Sequence, residues 1–321
     1  NTAVGINTLL VNSTGTENVA IGAYALDANT TANGNIGIGY VALGANTTGA
    51  SNVAVGNYAL DANTTANNNV AIGYDALGVN TTGAQNTAVG NYALDANTTA
   101  SNNIAVGYAA LGANTTGTSN TAVGFQALNL NATSDNNTAI GHNALENNVN
   151  DSNTAVGYYS LRANTTGDNN VAVGVLALNA NTTAASNTAV GRSALAVNTT
   201  GNYNVAVGTY ALDANTTASN NTALGSSSLT ANTTGASNVA IGANALRDNT
   251  TAASNIAIGI EAMILNTTGA YNTAVGANAL DANTTASYNT AVGANVLGAN
   301  TTGASNVAMG LNALFTNTTG D

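Results

Sequence analysis

The sequence has no cysteine, no proline and no lysine, and only one histidine. Without cysteine there are no disulfides and no thiolate metal sites. Without proline, long backbone hydrogen-bond ladders can run uninterrupted. The only cations are Arg162, Arg192 and Arg247, against fourteen acids, for a net charge of −11. No basic patch is available for phosphates, which argues against nucleic acid and against an anionic membrane surface as partners. No apolar run approaches the roughly 20 residues that a membrane-spanning helix needs, so membrane insertion is not expected. No signal-peptide pattern opens the chain and residue 1 is Asn, which reads as a mature, trimmed or excised product. His142 has no second base or ligand in a matching position. Nucleophilic and metal catalysis therefore lack their groups, and neither an enzyme nor a cofactor is expected.

What is present is one unit, repeated. Asn86–Asn102 reads N-T-A-V-G-N-Y-A-L-D-A-N-T-T-A-S-N, and nearly everything else is a copy of it. Nineteen units follow at a step of 17 residues, broken once by a step of 16 between Asn137 and Asn153. A fixed period overrides the two-domain estimate that 321 residues would otherwise suggest.

Position 1 is always Asn, position 2 is Thr, Val or Ile, position 3 is Ala except at Gly37, position 4 is apolar, and position 5 is always Gly. Positions 2 to 4 predict a short strand, with the glycine ending it through positive φ or close backbone approach. Positions 6 and 7 are variable and hold most aromatics. Position 9 is Leu, replaced once by Met263, and positions 12 to 14 are mostly Asn-Thr-Thr. This second half predicts another short strand centred on the leucine, then a turn. A helical repeat is excluded by the obligatory glycine, the β-branched residues and the absence of a 3.6-residue period. The expected fold is all-β: a parallel β-solenoid (β-roll or β-helix) of about nineteen 17-residue coils, roughly 90 Å long at the strand spacing.

On this reading the core is built from positions 4 and 9, for example Val89, Leu94, Val106, Leu111, Val123 and Leu128. Asn86, Asn103 and Asn120 stack as an asparagine ladder. Residues 1–321 form one continuous repeat domain. A local irregularity spans 120–152, where Val123, Leu128, Ile140 and Leu145 keep the core positions. Position 15 alternates between Gly and Ala, as in Gly49, Ala66, Gly83 and Ala100. That rhythm reflects either duplication of a two-unit segment or a 34-residue coil, and the phase shift at the short unit favours 17. No capping segment covers the end rungs, which predicts axial stacking on other copies.

The pattern N-T-A-V-G-x-x-A-L-x-x-N-T-T-G resembles the repeats of bacterial and phage tail-fibre-domain proteins. Its N-x-A-[VI]-G core is similar to the head repeats of trimeric autotransporter adhesins. That resemblance covers essentially the whole chain. It implies left-handed parallel β-rolls, assembly as a homotrimer and an extracellular or cell-surface location. The chaperone, stalk and anchor segments of those families are not in this sequence.

Three surface features are candidates for function. Asn-x-Thr sequons recur at position 12 in eighteen units, including Asn29, Asn46, Asn63, Asn80, Asn97 and Asn114, and would allow glycosylation unless they serve as turn and ladder residues. Tyr58, Tyr74, Tyr92 and Tyr108 predict a stripe that could bind cell-surface glycans or a neighbouring chain. Asp27, Asp61 and Asp95 lie two units apart, about 10 Å, too far for one calcium ion, and read as a solvated acidic edge. The function expected is a self-assembling extracellular structural fibre, by axial stacking, lateral association or both, for surface attachment or matrix. The alternatives are a glycan- or cell-binding adhesin or tail-fibre shaft and, behind it, an ice-binding solenoid. The ice-binding reading is weakened because position 2 mixes Thr with Val and Ile.

Overall fold

The computed structural model describes all residues from Asn1 to Asp321. The chain is all-β and contains no helix. It is organised as two compact units, Asn1–Val156 and Gly157–Asp321. The first carries ten strands, from β1 (Thr2–Val4) to β10 (Thr154–Val156). The second carries nine, from β11 (Val171–Val173) to β19 (Val307–Met309). Within each unit every strand pairs in parallel with the next. Between β6 (Thr87–Val89) and β7 (Ile104–Val106), Thr87 faces Ile104, Ala88 faces Ala105 and Val89 faces Val106. Partners are one repeat apart, so each repeat is one coil of a parallel β-solenoid.

Each strand has only three residues, and side chains alternate between faces. The middle alanine points inward: Ala88, Ala105 and Ala122 are fully buried. The flanking β-branched residues must then face outward. Val89, Val106 and Val123 are half-buried and Ile140 is exposed, so position 4 is not the core expected for it. The reason is room. The interior beside the strand is taken by the leucine at position 9, and a Cβ at Gly37 would already lie 3.2 Å from Leu26 Cγ. Leu94, Leu111 and Leu128 are fully buried, as expected.

The second strand expected around that leucine is absent. Positions 6 to 11 are a run of turns. Tyr92 has φ 59° and Leu94 φ 53°, both left-handed, and the same holds at positions 7 and 9 throughout the chain. Left-handed backbone costs roughly 1–2 kcal/mol for a residue with a Cβ. Hydrogen bonds hold it in place. Tyr92 N donates to Tyr74 O at 3.0 Å, Leu94 N to Ala110 O at 3.1 Å, and Asn97 N back to Leu94 O at 3.1 Å. The backbone in this half thus bonds to both neighbouring coils without forming a strand.

The 16-residue coil, Asn137–Ser152, loses its residue in the turn after position 12. There Asn148 Nδ2 reaches Asn150 O at 2.6 Å, two residues on, where a full coil reaches three. The strand is untouched: β9 (Thr138–Ile140) pairs with β10 through Thr138 and Thr154, Ala139 and Ala155, and Ile140 and Val156.

The Gly/Ala rhythm has a physical counterpart inside the 17-residue coil. A Cβ at Gly49 would come 2.6 Å from Asn46 Oδ1 and 2.9 Å from Asn63 Nδ2, so the column carries a methyl only in alternate coils. At position 16 the alanine-type coil often supplies a side-chain acceptor to the amide of the coil before it. Ala50 N donates to Asn67 Oδ1 (2.6 Å) and Ala84 N to Ser101 Oγ (3.0 Å).

Candidate functional site

The invariant polar chemistry of the repeat lies inside. Asn86 is fully buried. Its backbone N–H donates to Asn69 Oδ1 at 2.9 Å, and its Nδ2 donates to Ala100 O at 2.8 Å. Asn103 N and Asn120 N repeat the first bond, each at 2.9 Å, so the expected asparagine ladder runs through backbone donors to side-chain acceptors. A second ladder runs at position 12. Asn97 Nδ2 donates to Asn80 Oδ1 at 2.8 Å and to Ala100 O at 3.1 Å. The carbonyl at position 15 therefore accepts from both ladders, and this locks the turn onto the strand.

That second ladder corrects the glycosylation expectation. Asn29, Asn46, Asn63, Asn80, Asn97 and Asn114 are all fully buried. Their amide nitrogens point into the coil and are hydrogen-bonded there. A glycan cannot be carried at these positions in the folded coil, and the Asn-Thr-Thr motif serves the ladder and the turn.

The aromatic stripe lies on the outside of the first unit and is continuous. Tyr24, Tyr40, Tyr58, Tyr74, Tyr92 and Tyr108 succeed one another with ring centroids 5.4–6.1 Å apart and edge-on. Phe125 and His142 extend the row, now stacked at 5.5 and 5.0 Å with interplanar angles of 13° and 17°. The tyrosines alternate between positions 7 and 6 of successive coils, while Tyr108, Phe125 and His142 all occupy position 6. Alternation turns the rings edge to face; repetition of one position lets them stack. Both are favourable arrangements for aromatic pairs. His142, which from sequence has no second base or ligand, is stacked on Phe125 as part of this row.

Beside the row run the position-10 aspartates. A shallow open groove of about 440 Å³ is lined by Tyr92, Tyr108, Asp95, Gln126 and Asn129 among others. Asp61 and Asp95 are not the fully solvated edge expected: burial, and next the charge of Asp75, push both carboxyls above their usual pKa. Burial also raises Asp213 and Asp281 in the second unit. No three His, Cys, Asp or Glu side chains converge as a metal site.

These shifts predict a pH dependence of stability. With a folded-state pKa above the unfolded value of about 3.9, the folded chain binds more protons between the two values, so stability falls as pH rises through that window. Asp61→Asn and Asp95→Asn are expected to raise the melting temperature at pH 7 by at most a few degrees, because both sites are partly exposed. The gain should vanish below about pH 3.5, where both states are protonated. A gain of equal size at pH 3 would remove the electrostatic explanation.

In the second unit two rings carry an arginine of the same chain. The Arg162 guanidinium lies 4.6 Å from the Tyr159 ring centre and that of Arg192 5.6 Å from Tyr210. Thr230 Oγ1 donates to Asp213 at 2.9 Å. A separate stacked pair, Tyr271 and Tyr288, sits at position 17 with centroids 5.3 Å apart. The pair was missed from sequence, although its 17-residue spacing is visible, because most aromatics fall at positions 6 and 7.

Compared with known proteins, the chain matches no protein-family model and no curated protein. No helix is long and apolar enough to cross a membrane.

Proposed function

We propose that this chain is a non-catalytic shaft of an extracellular, self-assembling fibre, used for surface attachment or matrix. The observation that carries this reading is the pair of buried asparagine ladders. The invariant polar groups of the repeat bond coil to coil and are not presented to a ligand. Such a design favours length and cohesion over a single site. The likeness of the repeat to tail-fibre and adhesin-head repeats supports the same reading, and the extracellular location follows from it.

Lateral association would use the outward strand face, where the β-branched residues at positions 2 (Thr, Val or Ile) and 4 form a half-exposed band in the first unit. Val55→Lys, Val89→Lys and Val123→Lys, combined in one chain, place charges in alternate coils of that band. Sedimentation should show self-association weakened at least ~10-fold, about 1.4 kcal/mol. The melting temperature should stay within a few degrees, since these side chains are not core. Unchanged association would remove the strand face as the lateral contact. The second reading, an adhesin shaft that binds through its tyrosine stripe, is favoured by the unbroken row of exposed and half-exposed rings.

A further inference from the structure

The first unit contains no Lys or Arg, yet it carries the aromatic row and the aspartates beside it. Position 10 alternates there: Asp27, Gly44, Asp61, Gly78, Asp95, Gly112. The glycines add no side chain of their own there; the space beside them is shared with Val41 at Gly44, with Asp75 at Gly78 and with Asn129 at Gly112. A Cβ at Gly112 would stand 3.3 Å from Asp95 Oδ1, and one at Gly44 3.5 Å from Asp27 Oδ1. Each of the three carboxylates falls in the coil pair that supplies two successive rings: Tyr24 and Tyr40, Tyr58 and Tyr74, Tyr92 and Tyr108. The same grouping of one aspartate with two rings therefore occurs three times, once every two coils. At the middle one Asp75 reaches the space beside Gly78 and adds a second negative charge.

The second unit shows what such groups accept. Its comparable tyrosines carry arginine guanidinium groups, and Asp213 accepts from Thr230, the residue that stands where the first unit has glycine. Cations are drawn to ring faces and to half-buried carboxylates alike. In the first unit neither an arginine nor a threonine from the chain fills those roles.

We propose that this row is a docking track for an extended basic polypeptide whose arginines seat at successive groupings. Spacing selects the conformation. Two coils advance about 9.6 Å. A polyproline II chain brings every third residue to the same side after about 9.3 Å. An extended β-strand repeats a side after every second residue, about 6.8 Å, and falls out of step. The partner is thus a segment with arginine at every third position, held by charge-assisted bonds to Asp27, Asp61 and Asp95 and by the flanking rings.

The test is calorimetric titration of the full chain at 0.15 M salt with two synthetic peptides, each bearing three arginines. One has the repeat Arg-Pro-Pro and the other Arg-Pro. The first should bind at least ten-fold tighter. Asp61→Asn with Asp95→Asn should reduce its affinity at least ten-fold, as should Tyr58→Leu with Tyr92→Leu, with thermal melts confirming the fold. Asp213→Asn should have no effect. Equal affinity of the two peptides, or equal loss with Asp213→Asn, would reduce the effect to unspecific charge attraction and overturn the proposal. An amino-sugar oligomer that binds more tightly than either peptide would overturn the choice of partner. The shaft reading stands or falls separately, on self-association.

Discussion

Leu94→Asp is expected to destabilise the first unit by at least ~4 kcal/mol: about 1.5–3 kcal/mol of lost burial, plus the cost of enclosing an unpaired carboxyl. Leu94 is fully buried, and so are Leu77 and Leu111 at the same position of the adjoining coils. The nearby ladder amide of Asn97 could not serve as its donor, because it is already bonded to Asn80 and Ala100. Coils are stabilised by their neighbours, so the damage should spread over several rungs. Hydrogen exchange should accelerate on both sides of Leu94. Asp95→Asn, one residue further on, should be neutral or slightly stabilising at pH 7. Equal melting shifts for the two would mean that the inward face is misassigned.

Gly90→Val is expected to cost ~3 kcal/mol or more, for two separable reasons. Gly90 has φ 138°, a conformation L side chains rarely adopt. In addition, a Cβ there would lie 2.6 Å from the carbonyl carbon of Gly107 in the next coil. Gly310 separates the two causes. It has φ 112° and nothing within 4 Å of the place a Cβ would take, so Gly310→Ala should cost backbone strain alone, about 1–3 kcal/mol. Gly90→Ala should cost distinctly more. Indistinguishable losses in chemical denaturation would mean that close approach of the coils contributes nothing.

The coil length, the inward leucine, the asparagine ladder at position 1 and the need for glycine at position 5 were legible because each depends on a residue type recurring at a fixed step. The inward alanine was not. In V-A-V both faces of the strand are apolar, so alternation cannot say which faces in; the width of the interior decides, and that depends on where Leu26 or Leu94 sits. The left-handed turn was hidden for another reason. Leucine does not signal positive φ, although the asparagines at the same kind of position, Asn143 and Asn278, do. The sequon at Asn97 looks like a surface motif until the neighbouring coil's Asn80 is placed against it. The aromatic row also needed the stacked coils. Tyr74 and Tyr92 are 18 residues apart, one more than the period, and meet only because positions 6 and 7 of adjoining coils lie side by side.

The central claim, that the chain is a cohesive shaft built to assemble, is tested most directly by electron microscopy of the purified protein across nanomolar to micromolar concentration. The account predicts assemblies of many copies, filaments or lateral bundles, that grow with concentration and thin out when Val55, Val89 and Val123 are replaced by lysine. Isolated single copies at every concentration would contradict it.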